Sequence, residues 1–461
     1  MKWRMLLLVG GGVFLSTMDS SMINVALPSI MRTFSAPLVA VQWVVLIYLL
    51  TITVTLLFWG MASDRLGKDT IYLTGIGVFT VASICCSVAP DLWVLVSVRF
   101  FQGLGAAMMM ASGPGIIRDA FPRRELGRGL GLVGIATSAG LMTGPVISGM
   151  LITAYSWRMI FLVTVPISMA ILVFGYRLIK EVDLSQAAVP SPRFDFAGAA
   201  LWVVLVVSLI LYAHFLPAFS WRFGLGGALW LLVAAALFVW SERVRTPALL
   251  PLHLFAKSYY HIGLFTAAVS FGSLFVVLVL LPFYLDYVRG LSTHLIGLVM
   301  MAVPLSLFIV SPASGALYDR FGGRLLTTGG LLVCFVSLLL LAMTKADTPL
   351  VVMCGKLVLL GMGQSMFLAP NTASLLARIK DDDAGVTAGL LATSRNLGML
   401  CGAAFAGIVF AAWFGWFSGG DELYAYRPEQ SSVFMDSFQA TLLCAATVSL
   451  SAVLVSWQRD D

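Results

Sequence analysis

Apolar residues in this chain come in runs of about twenty, separated by short polar breaks, from Met5 to Trp457. A run of that length lets a helix rising 1.5 Å per residue cross a hydrocarbon core of about 30 Å. No break is wide enough to hold a soluble domain. The runs fall at 5–26, 40–61, 70–89, 91–113, 129–151 and 159–178, then at 196–215 and 225–241, then at 262–285, 294–314, 324–343, 348–372, 386–412 and 436–456. The pattern predicts an all-α membrane protein with about fourteen spans.

The first six spans recur in the last six. Gly60, Asp64, Arg65, Gly67 and Lys68 return as Gly315, Asp319, Arg320, Gly322 and Gly323 with Arg324, at an offset of 255. Leu27 and Pro28 match Leu281 and Pro282 at 254, Arg99 matches Lys356 at 257, and Gly140 and Gly144 match Gly398 and Gly402 at 258. A nearly constant offset implies two related six-helix bundles, 1–182 and 259–461, joined by residues 183–258 with two additional central spans. An even number of spans between the copies makes them parallel repeats.

Only 11% of residues are charged, against about a quarter in soluble domains. The net charge of +6 raises the question of an anionic partner, which the placement of the cations answers. With the amino terminus inside, nineteen lysines and arginines face inward, including Lys2, Arg65, Lys68, Arg123 and Arg124. Arg32, Arg158, Arg222, Arg289, Lys345 and Arg427 are the outer six. This positive-inside bias predicts cytoplasmic termini and needs no nucleic acid; the bilayer lipid is partner enough, and a monomer is expected. Met5 to Leu15, behind Lys2 and Arg4, continues through Asp19 and Asn24 without a small-residue cleavage site, so it reads as a retained span rather than a secretion signal. All six cysteines lie in spans and read as small apolar groups.

Three cations and one acid stand out within the spans: Arg99, Lys356, Arg395 and Asp19. Ionising Asp19 midway along an apolar helix costs several kcal/mol unless it meets water or a partner. Desolvation favours its neutral form, which suits a proton carrier, and the competing reading is a carboxylate tied permanently to a neighbouring helix. Arg99 does not deprotonate, so it either tunes a nearby carboxylate or braces the fourth helix. Lys356 is its counterpart, and Arg395 is a further candidate for a cavity.

Asp64, Arg65 and Gly67, with Gly60 before them, form a tight charged turn able to pair across the membrane surface, with Arg118 and Asp119 as partners; Asp319 and Arg320 are the second copy. Orientation alone would account for Lys68 better than for Asp64. Gly131, Gly140, Gly144, Pro145 and Gly149 in the fifth span offer small surfaces for close helix approach, and Pro145 bends the helix.

These residues, with Met18, Asp19, Asn24 and Pro28 in the first span and Arg99, Gln102, Gly103 and Gly105 in the fourth, resemble the major facilitator superfamily, and within it the fourteen-span drug:proton antiporter branch. The resemblance runs through nearly the whole chain. It implies the major-facilitator fold in the inner membrane, a gate role for Asp64 and Arg65, an influence of Arg99 on proton transfer, and the antiporter motif in the fifth-span glycines. Ala62, Asp69 and Ser148 depart from the family pattern.

The implied function is proton-coupled antiport of small amphipathic or cationic compounds, drawing on the proton motive force without a cofactor. Met22, Asn24, Gln102, Lys356 and Arg395 are candidate cavity residues, and a dedicated exporter of one metabolite or lipid is the alternative. An enzyme would need converging nucleophiles or ligands, but His214, His253, His261 and His294 are scattered, and no phosphate-binding loop is present.

Overall fold

The computed structural model describes residues 1–122, 125–181, 195–215, 221–244, 252–379 and 381–459. Arg123 and Arg124, counted among the inner cations, lie outside the described residues, as do the side chain of Asp319 and most of the expected connection at 182–194. Among the described residues the regular structure is helical. The helices are α1 (Lys2–Phe34), α2 (Leu38–Val41), α3 (Trp43–Leu66), α4 (Lys68–Ser87), α5 (Leu92–Ala120), α6 (Leu126–Ala154), α7 (Met159–Leu162), α8 (Thr164–Glu181), α9 (Phe196–Phe215) and α10 (Trp221–Val244). The rest are α11 (Leu252–Phe255), α12 (Ser258–Phe283), α13 (Thr293–Met300), α14 (Ala302–Ala342), α15 (Leu350–Leu376), α16 (Asp381–Ser418) and α17 (Ser431–Trp457).

Among the described residues these helices form fourteen stretches long and apolar enough to span a membrane, two of them sharing α14. Helices satisfy backbone donors and acceptors internally, which lipid requires. Hydroxyls within the spans follow the same rule: Thr53, Thr80 and Ser83 each donate to the carbonyl four residues back, at 2.7–2.8 Å. At the start of α5 the Asp91 carboxylate accepts from the Trp93 and Val94 amides at 2.9 Å. The expected spans at 294–314 and 324–343 run together in α14, where Gly322 breaks the helical path at φ 77°. Gly67, its counterpart in the repeat, has φ 93°. Left-handed backbone at both copies explains why that turn carries glycine.

The chain forms two compact units. The first comprises Met1–Asp19, Ile47–Gly140 and Phe161–Leu252. Within it α4 meets α5 backbone to backbone: a Cβ on Gly75 would lie 2.8 Å from the Gly105 carbonyl oxygen. Tyr72 ties α4 to α1 by donating to the Leu8 carbonyl at 2.8 Å, and Trp202 fastens the inserted α9 to α3 through the Thr53 carbonyl at 3.3 Å. On α10, Leu225, Leu229 and Leu232 are more than 60% exposed, a surface that suits lipid rather than water.

The second unit comprises Ser20–Leu46, Leu141–Ile160 and His253–Asp461. It repeats the packing of the first in detail. Gly330 meets the Gly363 carbonyl as Gly75 meets that of Gly105, and Gly398 lies on the Ala268 carbonyl as Gly140 lies on that of Phe14. Each pair keeps the sequence offset of the repeat, so the same small residues set the same helix approaches twice.

Candidate functional site

In the first unit the side chains of Asp19, Arg99, Gln102 and Ser83 close into one buried network. Asp19 reaches it from α1, Ser83 from α4, and Arg99 and Gln102 from successive turns of α5. Arg99 Nη1 donates to Asp19 Oδ2 at 2.6 Å and to Gln102 Oε1 at 2.8 Å. Gln102 Nε2 in turn donates to Asp19 Oδ1 at 3.0 Å and to Ser83 Oγ at 2.9 Å. The Arg99 guanidinium lies 4.2 Å from the Tyr48 ring centroid and 5.8 Å from that of Phe161.

Arg99 and Gln102 are fully buried, and Asp19 is 3% exposed. Hydrophobic surroundings alone would leave Asp19 ill at ease with its charge; the structure gives its carboxylate two donors instead. Gln102 Oε1 gives the Arg99 guanidinium a second acceptor beside the carboxylate. Gln102, expected among cavity residues, belongs to this network. Met22 and Asn24, one to two turns along α1, are also buried, in the second unit.

At the turn between α3 and α4 the strong ion pair is made by Lys68, whose Nζ lies 2.5 Å from Asp119 Oδ2 and 3.9 Å from Asp64 Oδ1. Arg118 adds a 3.7 Å contact to Asp119. The Lys68 stem crosses Gly115, where a Cβ would come within 2.8 Å of Lys68 Cδ. Sequence reading took Arg118 and Asp119 as partners for Asp64 and Arg65; the close ion pair with Asp119 is made by Lys68, the first residue of α4. Arg320, in the second copy, is exposed. Nearby, Lys2 Nζ meets Glu125 Oε2 at 2.5 Å, and this hydrogen bond holds the Glu125 carboxyl below its usual value.

The fifth-span glycines divide in the structure. Gly140 backs onto α1, where a Cβ would lie 2.6 Å from the Phe14 carbonyl oxygen, whereas a Cβ on Gly131 would meet open space, as it would on Gly60. The expectation of close packing at Gly131 is not met. In the second unit Gly149 lies on the Thr293 carbonyl, where a Cβ would sit 2.6 Å away, and the Pro145 carbonyl faces Gly297 of α13. Gly144 is buried beside it. Ser148, the departure from the family pattern, donates to the Met22 carbonyl at 2.9 Å and so links α6 to α1.

The sequence profile of the Major Facilitator Superfamily matches residues 9–403 and, separately, 263–455. The chain belongs to this superfamily. Among relatives, the riboflavin transporter RibZ of Clostridioides difficile is 33% identical over 89% of this chain and 88% of its own. The multidrug resistance protein Stp of Mycobacterium tuberculosis is 32% identical over 88% of this chain and 76% of its own. The fold matches a crystal structure of a bacterial homologue of the human lysosomal transporter Spinster, with a TM-score of 0.70, 14% identity and coverage of 99% and 96% of the two chains.

The remaining intramembrane cations of this major facilitator protein lie in its second unit. Lys356 donates to Thr344 Oγ1 at 3.0 Å, and Arg395 donates from Nη2 to Thr372 Oγ1 at 2.6 Å. Two ties, one buried and one at the surface, escaped sequence reading. Arg459 donates to Asn371 Oδ1 at 2.8 Å, anchoring the end of α17 to α15. Arg32 Nη1 lies 2.5 Å from Asp286 Oδ2 beyond α12. Both join residues too far apart in sequence for any local pattern to pair them.

Proposed function

We propose that this transporter is a proton-coupled exporter of small amphipathic molecules, residing in the inner membrane with both termini cytoplasmic and working by alternating access. The observation that carries this reading is the Asp19–Arg99–Gln102 network: the acid within the first span is held by donors that can be redistributed. Protonating Asp19 would release its share of Arg99, and the guanidinium would remain on Gln102. α1 would then be free to shift against α5.

The magnitudes are compatible. Breaking a buried ion pair by removing one charge costs about 3–5 kcal/mol, whereas one charge crossing a membrane potential gains about 2.3 kcal/mol per 100 mV. One or two protons are thus matched to the step. Relatives with multidrug resistance in their names support an export role, and the energy comes from the gradient rather than a cofactor.

The test is transport into everted membrane vesicles under an imposed pH gradient. Wild-type protein should accumulate amphipathic dyes when the gradient is present, and Asp19→Asn should not. Gradient-driven uptake by the variant at the wild-type rate would remove the coupling role.

A second reading, transport of a single metabolite, draws support from the relative named as a riboflavin transporter. Competition between a panel of chemically unrelated amphiphiles and riboflavin distinguishes the two. Broad competition favours the first reading.

A further inference from the structure

The two units treat their intramembrane cations differently. Arg99 in the first is matched by the Asp19 carboxylate. Arg395 in the second has no carboxylate partner among the described residues. Its contacts are the neutral hydroxyl of Thr372 at 2.6 Å and the Phe271 ring, whose centroid is 5.8 Å from the guanidinium carbon. The buried Nε–H has no acceptor among the described residues. Among the described residues Lys356, the other intramembrane cation of this unit, also meets only a neutral hydroxyl, that of Thr344.

Depth makes this arrangement costly. Arg395 is the tenth residue of the span Val386–Ser418, about 14 Å from its start at 1.5 Å per residue. A guanidinium at that depth does not lose its proton and is not tolerated against hydrocarbon. Its partners come from α12 and α15, so its head points among the helices of its own unit and not outward. Gly398 and Gly402, on the same helix, bring α16 against Ala268 and Gly272 of α12, which is what lets the guanidinium reach Phe271.

Arg395, Thr372 and Phe271 are each half-buried. They border an accessible surface rather than a sealed core, and a charged fork beside such a surface calls for water or an anion. A carboxylate, phenolate or sulfonate would supply the missing acceptors in the bidentate geometry a guanidinium favours, and the Phe271 face would take an attached aromatic ring.

We propose that Arg395 anchors the anionic group of an amphipathic aromatic substrate, with Thr372 orienting the guanidinium and Phe271 receiving the ring. This rests on the export reading and refines it: the preferred cargo is an amphipathic anion rather than a lipophilic cation.

Two xanthene dyes of similar size separate the alternatives: fluorescein, which is anionic at pH 7.5, and rhodamine 6G, which is cationic. Binding to full-length protein in lipid nanodiscs is read by fluorescence anisotropy for wild type, Arg395→Gln and Arg395→Lys. Wild type should bind fluorescein at least tenfold tighter than rhodamine 6G. Arg395→Gln should lose about tenfold or more of the fluorescein affinity, the scale of a charged hydrogen bond, without weakening rhodamine 6G. Arg395→Lys, which keeps the charge and loses the fork, should fall between.

The wild-type preference requires no variant, so a folding defect in either substitution leaves the test standing. Preference for the cation, failure to bind fluorescein, a fluorescein affinity within twofold of wild type in Arg395→Gln, or equal loss for both dyes overturns the proposal. Gradient-driven uptake is measured separately in vesicles. Uptake of rhodamine 6G but not fluorescein leaves export intact and removes the anion site. Arg395-dependent fluorescein binding without any gradient-driven uptake does the reverse.

Discussion

Arg32 and Asp286 meet at 2.5 Å across 254 residues of sequence, and 254 is also the offset at which the first span repeats in the ninth. The two residues hold equivalent positions in the two copies, carry opposite charges, and pair with each other. Tyr287 adds its ring 5.7 Å from the Arg32 guanidinium carbon. Around them the ends of α1 and α6 gather with α12 and α13: Trp157 donates to Thr33 Oγ1 at 3.1 Å, and the His294 amide donates to Thr153 Oγ1 at 3.2 Å. Identical residues at these two positions would set like charges face to face; the opposite charges present make the contact a latch.

The latch should be measurable as a coupling. Because the Arg32 side chain is 50% exposed, solvent limits the pair to about 1 kcal/mol or less. Arg32→Gln and Asp286→Asn should each lower the thermal midpoint slightly, and the double variant should do little more than either. Strict additivity of the two single effects would show that the pair carries no interaction energy.

Removing the charge of Asp19 has a second consequence besides lost coupling. Asp19→Asn removes the carboxylate to which the buried Arg99 donates, a cost of about 3–5 kcal/mol. Arg99→Gln combined with Asp19→Asn should recover much of the lost stability while transport stays absent. Thermal unfolding in detergent checks the first half and vesicle uptake the second. Full stability of the single variant would mean that Arg99 is compensated elsewhere.

Two glycines of one helix should respond in opposite ways. At Gly140 a side chain meets the backbone of α1, with the Phe14 carbonyl at 2.6 Å and the Met18 amide at 3.0 Å. Gly140→Val should separate α1 from α6 and abolish folded yield or transport. Gly131 faces open space, so Gly131→Ala should be neutral or stabilise the helix by about 0.5–1 kcal/mol. Expression level and unfolding midpoint report both.

Lys2 and Glu125 give a pH signature outside the spans. The Lys2 hydrogen bond depresses the Glu125 carboxyl relative to its ordinary value of 4.5. A depressed carboxylate contributes its stabilisation above the unfolded value, and loses it as pH falls through the lower folded value. Hydrogen exchange at the start of α1 should accelerate as pH falls below about 4.5, after correction for the intrinsic pH dependence of exchange. Glu125→Gln should abolish that step, and a step of equal size in the variant would assign it to another group.

Much of the architecture is legible along the chain because burial in lipid acts on every residue of a span. Twenty apolar residues, a charged turn and a repeated glycine are local features, and they give the helices, the repeat and the family resemblance. The site is legible only in part. Asp19 and Arg99 announce themselves because an ionisable group in an apolar run is conspicuous, and Gln102 stands one turn from Arg99. That Lys68 makes the close pair with Asp119, and that Gly131 packs against none of the described residues, depend on helix rotation. A few tens of degrees of rotation exchange one residue for its neighbour on a contact face, and the apolar spans have little periodicity from which to read it.

The sequence by itself determined that this chain lives in a membrane, as two related sets of six helical spans with two more between them, and that a few charges within those spans demand partners. Tertiary structure alone decided who those partners are, Arg99 for Asp19 and a neutral hydroxyl for Arg395, and it also paired Arg32 with Asp286 and Arg459 with Asn371 near the span ends. The division has a physical cause. Hydrophobic burial is summed over many residues and is insensitive to the position of any one, whereas an ion pair or hydrogen bond is lost within about an ångström and depends on how separate helices are turned and set in depth.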